Sequence, residues 1–180
     1  MNLKIIMFIL GGLTFSSLPA ADESTAARAL DQLKTLAGNW EGTFEWTGAR
    51  TASGSMKATY YTTGNDSALV ENLITENAPV MTSVYHFDGA DLRMTHFCGA
   101  QNQPRLKAGQ IDLAKGSIDF DFVDITNLRA PDAPHVRGLE MRLIDPNRLR
   151  ITFLFQSGDK ESRENIVLKR VEIKDRKSVV

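Results

Sequence analysis

The amino-acid sequence predicts an all-β protein: an up-and-down antiparallel barrel of about ten strands, preceded by a short N-terminal helix. From Glu41 onward, polar and apolar residues alternate in one short segment after another, which is the period of a β-strand. Turn residues such as Gly64-Asn65-Asp66 and Asp145-Pro146-Asn147 separate many of these segments, and no helical pattern intervenes. A closed barrel leaves no strand edge exposed, so we favour it over a β-sandwich, which is the alternative.

A single helix is expected before the strands. Apolar residues recur at helical spacing between Asp22 and Leu36, Ser24 or Thr25 can cap the start, and Gly38 can end it. The strands predicted after it are 41–47, 54–63, 68–76, 80–88, 91–98, 104–112, 117–123, 137–145, 148–156 and 162–170.

The longest irregular segment, 124–134, contains two prolines and no alternation. These features predict a loop. Loops of this length in a compact barrel are often functional, which makes the segment a candidate lid.

The first twenty residues have the composition of a signal peptide. Lys4 supplies the positive charge, residues 5–15 form an apolar stretch too short to span a bilayer, and a small-residue segment ends at Ala20. We expect cleavage after Ala20, a barrel domain over 21–172 and a charged tail over 173–180. The expected location is periplasmic or secreted, with no membrane anchor left after cleavage; an uncleaved anchor is the alternative.

Charge and cysteine content narrow the function classes. Loss of Lys4 with the leader leaves 20 basic and 22 acidic side chains, a net charge of −2, with no basic block. The chain therefore lacks the electrostatic footprint of a nucleic-acid-binding protein. Cys98 is the only cysteine, so no internal disulfide can form and the fold depends on its core.

Alternation places chemically versatile side chains at one end of the barrel interior. In the fifth strand, His96 and Cys98 share the face of Leu92 and Met94, which we assign inward. The hairpin that follows adds polar groups near the same rim, and two residues at the start of the eighth strand share its inward parity. The predicted ligand-binding residues are His96, Cys98, Gln103, Arg105, His135 and Arg137.

Three other interpretations of these residues remain open. His96, Cys98 and His135 could hold zinc or a haem iron, although their spacing matches no known metal motif. Cys98 could act as a nucleophile with His135 as its base, because His96 would lie too far from it on the same strand. The barrel could also be filled by side chains and serve only as an interaction module. We assign no catalytic residue, metal or cofactor.

The Gly38-x-Trp40-x-Gly42 turn is interpreted as structural. Its glycines permit a tight turn and a close approach of backbones, and Trp40 can plug one end of the barrel. Arg170 shares the parity of Ile166 and Leu168 in the last strand, so we predict that its guanidinium lies across the Trp40 ring.

Two sets of residues carry a resemblance to known proteins. A family of exported bacterial lipocalin-like proteins of unknown function resembles this chain in the Leu33–Phe44 segment, the Tyr85-His86-Phe87-Asp88-Gly89 hairpin and the Thr95-His96-Phe97-Cys98 and Asn102-Gln103-Pro104-Arg105 stretches. More loosely, Gly38-x-Trp40-x-Gly42 with Arg170 is similar to the calycin superfamily of lipocalins, fatty-acid-binding proteins and nitrobindins. The resemblance implies a closed barrel with a central cavity.

The chain departs from these relatives at two points. Nitrobindin-like proteins carry a haem-binding histidine near the C-terminus, whereas no histidine follows His135 here. The lipocalin-like family tends to show His-Met-His where this chain has His135-Val136-Arg137, which favours an anion-facing Arg137. The function expected from the sequence is therefore non-catalytic binding of one small, largely apolar or amphipathic molecule with a polar or anionic head group.

Overall fold

The structure, a computed structural model, describes residues 24–171. The predicted signal peptide and the charged tail lie outside these residues. The described chain forms one α-helix, a short 3-10 helix over Leu113–Lys115 and ten strands that close into an antiparallel barrel, so the predicted fold class is confirmed. The elements are α1 (Thr25–Lys34), β1 (Gly38–Gly48), β2 (Ala52–Thr63), β3 (Ala68–Thr75), β4 (Ala78–Asp88), β5 (Asp91–Phe97), β6 (Gln103–Asp112), β7 (Ser117–Thr126), β8 (His135–Asp145), β9 (Arg148–Ser157) and β10 (Lys160–Arg170).

Helix α1 closes one end of the barrel. The Ser24 hydroxyl caps it by accepting a hydrogen bond from the Ala27 amide (3.1 Å), as the sequence indicated. The helix packs against β2, β3, β5 and β6, and it buries Ala29, Leu30 and Leu33. Within the described range, α1 falls short of the length and apolarity that a membrane-crossing helix requires.

Pairing of β1 with β10 closes the barrel, in a register that runs from Trp40 opposite Arg170 to Gly48 opposite Ser162. At Gly42 the backbone of β10 leaves no room for a side chain, because a Cβ atom there would lie 1.8 Å from the Val167 carbonyl oxygen. A glycine is therefore required at this position if the register is to be kept.

Arg170 links the closure to the plugged end. Its guanidinium carbon lies 4.4 Å from the centroid of the Trp40 ring, which is the predicted cation–π contact. The same guanidinium donates hydrogen bonds to the carbonyl oxygens of Thr35 and Ala37 (2.7 Å each) and Pro146 (3.0 Å). One side chain thus ties the helix, the β8–β9 turn and the last strand to the buried tryptophan.

The two ends of the barrel differ in how they are filled. At the α1 end, Trp40 meets Tyr60 edge-on, and large buried side chains continue inward to Tyr85 and Phe120. At the opposite end lie the β1–β2, β3–β4, β5–β6, β7–β8 and β9–β10 connections. No helix of the described chain covers this second end, so it is the open end.

Two bulges near the open end change which residues face inward. The β8–β9 register shifts between Val136 and Gly138, and the β6–β7 register shifts between Arg105 and Leu106. In addition, the β7–β8 ladder ends at Asp121 opposite Gly138, so the two strands part beyond this point. Strand β7 also continues to Thr126, which shortens the predicted 124–134 loop to residues 127–134.

If Arg170 holds the closure together, an Arg170→Ala substitution should lower the free energy of unfolding by about 2 kcal/mol, because it removes charged donors from three carbonyl oxygens. Denaturant unfolding followed by tryptophan fluorescence measures the change. Arg170→Lys should recover less than half of the loss, because an ammonium lacks the planar fork. Exposed Lys169→Ala is the matched control, and equal losses in Arg170→Ala and this control would contradict the assignment.

Candidate functional site

A cavity of about 600 Å³ occupies the open end of the barrel. Most of its wall is apolar surface, and alternation points aromatic and sulfur-containing side chains into it from β1, β2, β4 and β9. Trp46 contacts Phe155 edge-on, with 4.8 Å between their ring centroids. The apolar part of the wall includes Phe44, Trp46, Met56, Val80, Met81, Cys98 and Phe155. This volume lies within the range of small-molecule sites. The interaction-module alternative required a barrel filled throughout by side chains, and the cavity does not agree with it.

Glu164 is the buried carboxyl group of the cavity wall. It lies opposite Trp46 in the β1–β10 ladder and is only 3% exposed. Its Oε2 atom has no hydrogen-bond partner among the described residues. Burial raises the pKa of the Glu164 carboxyl from its ordinary value of 4.5 to about 7, and the Arg50 guanidinium and the Trp46 indole offset the effect only in part. The carboxyl therefore changes charge near neutral pH.

Cys98 lines the same cavity, at the end of β5, as the sequence predicted for an inward-facing residue. Its sulfur accepts a hydrogen bond from the Ala100 amide (3.4 Å). Burial raises the pKa of the Cys98 thiol, and the charge of Glu164 raises it further. The thiol is therefore protonated at neutral pH, which disfavours the nucleophilic role that we considered for it.

His96 faces inward, as predicted, but it belongs to the packed part of the interior instead of the cavity wall. It ends a row of polar side chains that lie opposite one another across β2, β3, β4 and β5. The Glu71 carboxylate accepts hydrogen bonds from Tyr60 (2.7 Å), Ser83 (2.9 Å) and Tyr85 (3.2 Å), and Ser83 also bonds to His96 Nδ1 (3.0 Å).

This row satisfies nearly all of its own hydrogen-bonding groups. Because Ser83 gives its single proton to Glu71, Nδ1 of His96 must be the donor in their contact, which leaves the lone pair of Nε2 without a partner. Burial lowers the pKa of His96 to about 3, and burial also raises the pKa of Glu71 despite its three donors. The imidazole is therefore neutral at all physiological pH values.

The prediction that His135 and Arg137 point into the barrel with Cys98 is wrong. The bulge after Val136 gives the inward position to Val136, which is fully buried. His135 and Arg137 lie instead where β7 and β8 part, beside a second pocket of about 360 Å³. His135 Nδ1 bonds to the Ala133 carbonyl oxygen (2.8 Å), and the Arg137 guanidinium stacks on Phe122 at 4.1 Å.

Gln103 and Arg105 are also misplaced by the sequence prediction. They alternate along β6 with Pro104 and Leu106, which take the inward positions. Arg105 is exposed and forms a two-pronged ion pair with Asp124 (2.5 and 2.7 Å), its neighbour on β7. Neither residue lines the cavity, so Arg105 does not face a ligand there.

The three residues considered for a metal site do not converge. Cys98 lines the cavity, His96 lies in the polar row and His135 lines the second pocket. Among residues 24–171, no group of three His, Cys, Asp or Glu side chains is arranged to hold a metal ion. The pairing of Cys98 with His135 that a nucleophilic mechanism needs is likewise not formed.

Glu164 and Glu71 are not among the site residues predicted from the sequence, although the sequence contains a signal for both. Glu164 has the parity of Ile166 and Leu168, and Glu71 has that of Leu69 and Leu73, all of which face inward. An acidic residue at an inward position of a strand is a candidate site residue, because burying a carboxyl costs free energy unless it is paired.

The 127–134 segment borders the cavity and is fixed to neighbouring turns. Pro134 contributes to the cavity wall, and its carbonyl oxygen accepts a hydrogen bond from Asn102 Nδ2 (2.8 Å). Asn127 Nδ2 donates to the Gln101 carbonyl oxygen (2.5 Å), and the Asp132 carbonyl oxygen accepts from the Gly158 amide (3.0 Å). The loop is therefore anchored at both sides of the open end.

No known protein-family model matches this chain, and no curated protein is significantly similar to it. Solved structures do share its fold. Rv2717c from M. tuberculosis is 17% identical with a TM-score of 0.52, over 81% of this chain and 99% of that one. A protein of unknown function from the DUF3598 family of Nostoc punctiforme is 13% identical with a TM-score of 0.52, over 76% of this chain and 48% of that one. At such identities the likeness shows a lipocalin-like barrel fold alone.

Glu164 should make stability depend on pH. Because the pKa of this carboxyl is raised on folding, the unfolded chain ionises first as pH rises, and stability falls between about pH 4.5 and pH 7 by up to about 3 kcal/mol. Glu164→Gln should remove this loss, so its unfolding free energy relative to wild type should be higher at pH 8 than at pH 5. Denaturant unfolding at both values tests this, with exposed Glu161→Gln as the control; parallel behaviour of the two variants would refute it.

His96 should produce the opposite slope at lower pH. Its pKa is depressed on folding, so the unfolded chain takes up a proton that the folded protein cannot accept, and stability is lost as pH falls below about 6.5. The loss should reach about 2 kcal/mol by pH 5. Since this slope opposes that of Glu164, it should appear most clearly in the Glu164→Gln background. A histidine Cε1 proton signal that titrates normally for His96 in NMR would contradict the expectation.

Proposed function

We propose that this protein is a non-catalytic binding barrel that holds one small, largely apolar ligand with a polar head group. The observation that carries the proposal is the cavity of about 600 Å³ at the open end, which has an aromatic and thioether wall. Burial of apolar ligand surface against this wall stabilises the complex by about 25 cal/mol per Å². The plugged α1 end makes the open end the natural route of entry.

The arrangement of polar groups supports binding over catalysis. The row that contains Glu71 satisfies its own hydrogen-bonding groups except His96 Nε2 and does not line the cavity, so it has no access to a substrate there. Within the described cavity wall, the Cys98 thiol faces no histidine that could act as its base. What the wall offers is shape, apolar surface and a small number of polar contacts, which is the composition of a ligand site.

Export of the chain is part of the proposal and rests on its first twenty residues alone. We expect cleavage after Ala20 and a periplasmic or secreted protein. The intact mass of protein recovered from the periplasm or medium of its native cells tests this, because a chain that retained residues 1–20 would be heavier by the mass of the leader.

Native mass spectrometry of that same material should show a reproducible extra mass that is absent under denaturing conditions. An adduct of a few hundred daltons is expected, since a cavity of this volume accepts a molecule of that size. A protein that retains no adduct and takes up none from an extract of its native cells would count against the proposal.

Filling the cavity should abolish this binding. Ala100 lines the cavity, so Ala100→Phe should reduce ligand uptake at least tenfold while the barrel stays folded. Ala114→Phe, an exposed change at the opposite end, is the matched control and should bind as wild type does. The rate at which a small thiol reagent modifies Cys98 provides the readout, because a bound ligand should shield this thiol. Equal uptake by both variants would place the ligand elsewhere.

A further inference from the structure

The cavity wall contains a buried carboxyl oxygen that the proposed function leaves unexplained. Glu164 Oε2 is fully buried and has no hydrogen-bond partner among the described residues. An unpaired buried oxygen of this kind costs free energy, and native structures rarely keep one without a partner. Because the Glu164 side chain lines the cavity, a rotation of its carboxyl would bring Oε2 to a ligand that carries the missing donor.

A cation already lies beside this carboxyl. The Arg50 guanidinium stacks on the Trp46 ring with its carbon 4.0 Å from the ring centroid, and Trp46 lies directly opposite Glu164. Arg50 is exposed, and its backbone amide donates to Ser162 Oγ (3.1 Å), which fixes the main chain while the side chain can move. The mouth of the cavity is therefore built so that a positive charge rests on the indole next to a carboxyl.

We infer that Glu164 and Trp46 form the head-group site of the cavity, and that its ligand is an apolar amine whose ammonium replaces the Arg50 guanidinium on the Trp46 ring. The ammonium has N–H donors for Glu164 Oε2 and a charge that the indole face attracts. The apolar part of the amine would lie among Phe44, Met56 and Met81. This inference rests on the proposed function and specifies the chemistry of its ligand.

An anionic head group fits the same groups less well. It would have to bind the exposed cations Arg50 and Lys160, and it would leave Glu164 unpaired beside it. Near neutral pH the carboxyl is partly ionised, so an anion would also meet a like charge. A neutral hydroxyl can donate to Oε2 but brings no charge to the indole.

Protonation gives the amine a distinct signature. Four ionisable groups line the cavity, Glu164, Cys98, Arg50 and Lys160, and burial raises the pKa of the Glu164 carboxyl to about 7. An alkylammonium pairs with the ionised carboxyl, and binding to the neutral acid releases its proton to solvent. Affinity for the amine should therefore rise about tenfold from pH 6 to pH 8 and become independent of pH in Glu164→Gln.

The test compares three probes with one alkyl chain, decylamine, decanol and decanoic acid, by titration calorimetry at pH 8. In the wild-type protein decylamine should bind tightest. Glu164→Gln should weaken decylamine at least tenfold and change decanol less than threefold, with exposed Glu161→Gln as the control. Arg50→Gln should leave decylamine affinity unchanged or tighten it, because it removes the competing guanidinium. Near-UV circular dichroism checks that each variant is folded. If Glu164→Gln does not fold, Glu164→Asp replaces it in the comparison.

The outcomes separate the inference from the proposed function. If decanoic acid binds tightest and Arg50→Gln weakens it, the head-group site belongs to Arg50 and the amine is wrong, while the binding function stands. If all three probes bind equally and Glu164→Gln changes the affinity of none, the amine inference is likewise wrong and the binding function stands. If no probe binds and native preparations also lack an adduct, the binding function fails and the inference fails with it.

Discussion

Closure of β1 onto β10 is the constraint on which the rest of this structure depends. Without that pairing the sheet would expose two long edges, and its inner face would be open to water. The contact distance at Gly42 fixes the register of the two strands, and Arg170 ties that register to Trp40 and to the end of the helix. A closed barrel with one end plugged has a single open end, and the position of the cavity follows from this.

Inside the barrel, two carboxyl groups show how burial separates a structural role from a binding role. Glu71 has three hydroxyl donors and lies among packed side chains, so its cost of burial is largely compensated within the protein. Glu164 is almost equally buried and its side chain lines the cavity, yet one of its oxygens has no hydrogen-bond partner among the described residues. An uncompensated polar atom beside a cavity is more informative about a ligand than a satisfied one, because only the first changes its free energy when a ligand arrives.

In the binding function that we propose, the apolar wall and the single carboxyl contribute differently to ligand recognition. Contact with Phe44, Met56, Met81 and Phe155 rewards any ligand of suitable size, since the gain depends on area and has little direction. Direction comes from the oxygen of Glu164 and the face of Trp46, which lie opposite each other on paired strands. Because both are fixed by the closing ladder, the head-group geometry is held by the most constrained part of the barrel. The solved structures of similar fold share this architecture, but their low identity carries no information on the ligand.

The sequence by itself determined the elements of this protein: the helix, the ten strands, the inward faces of β5 and β9, and the pairing of Trp40 with Arg170. These features depend on alternation and turn residues, which are local patterns of a few neighbouring residues and can therefore be recognised in the sequence. Only the tertiary structure decided where His135 and Arg137 point, because a one-residue bulge at the start of β8 reverses parity and nothing local in the sequence marks it. It also decided which inward positions meet packed side chains and which meet a cavity. That outcome depends on how ten strands close around one interior, and so on distances between residues far apart in the chain.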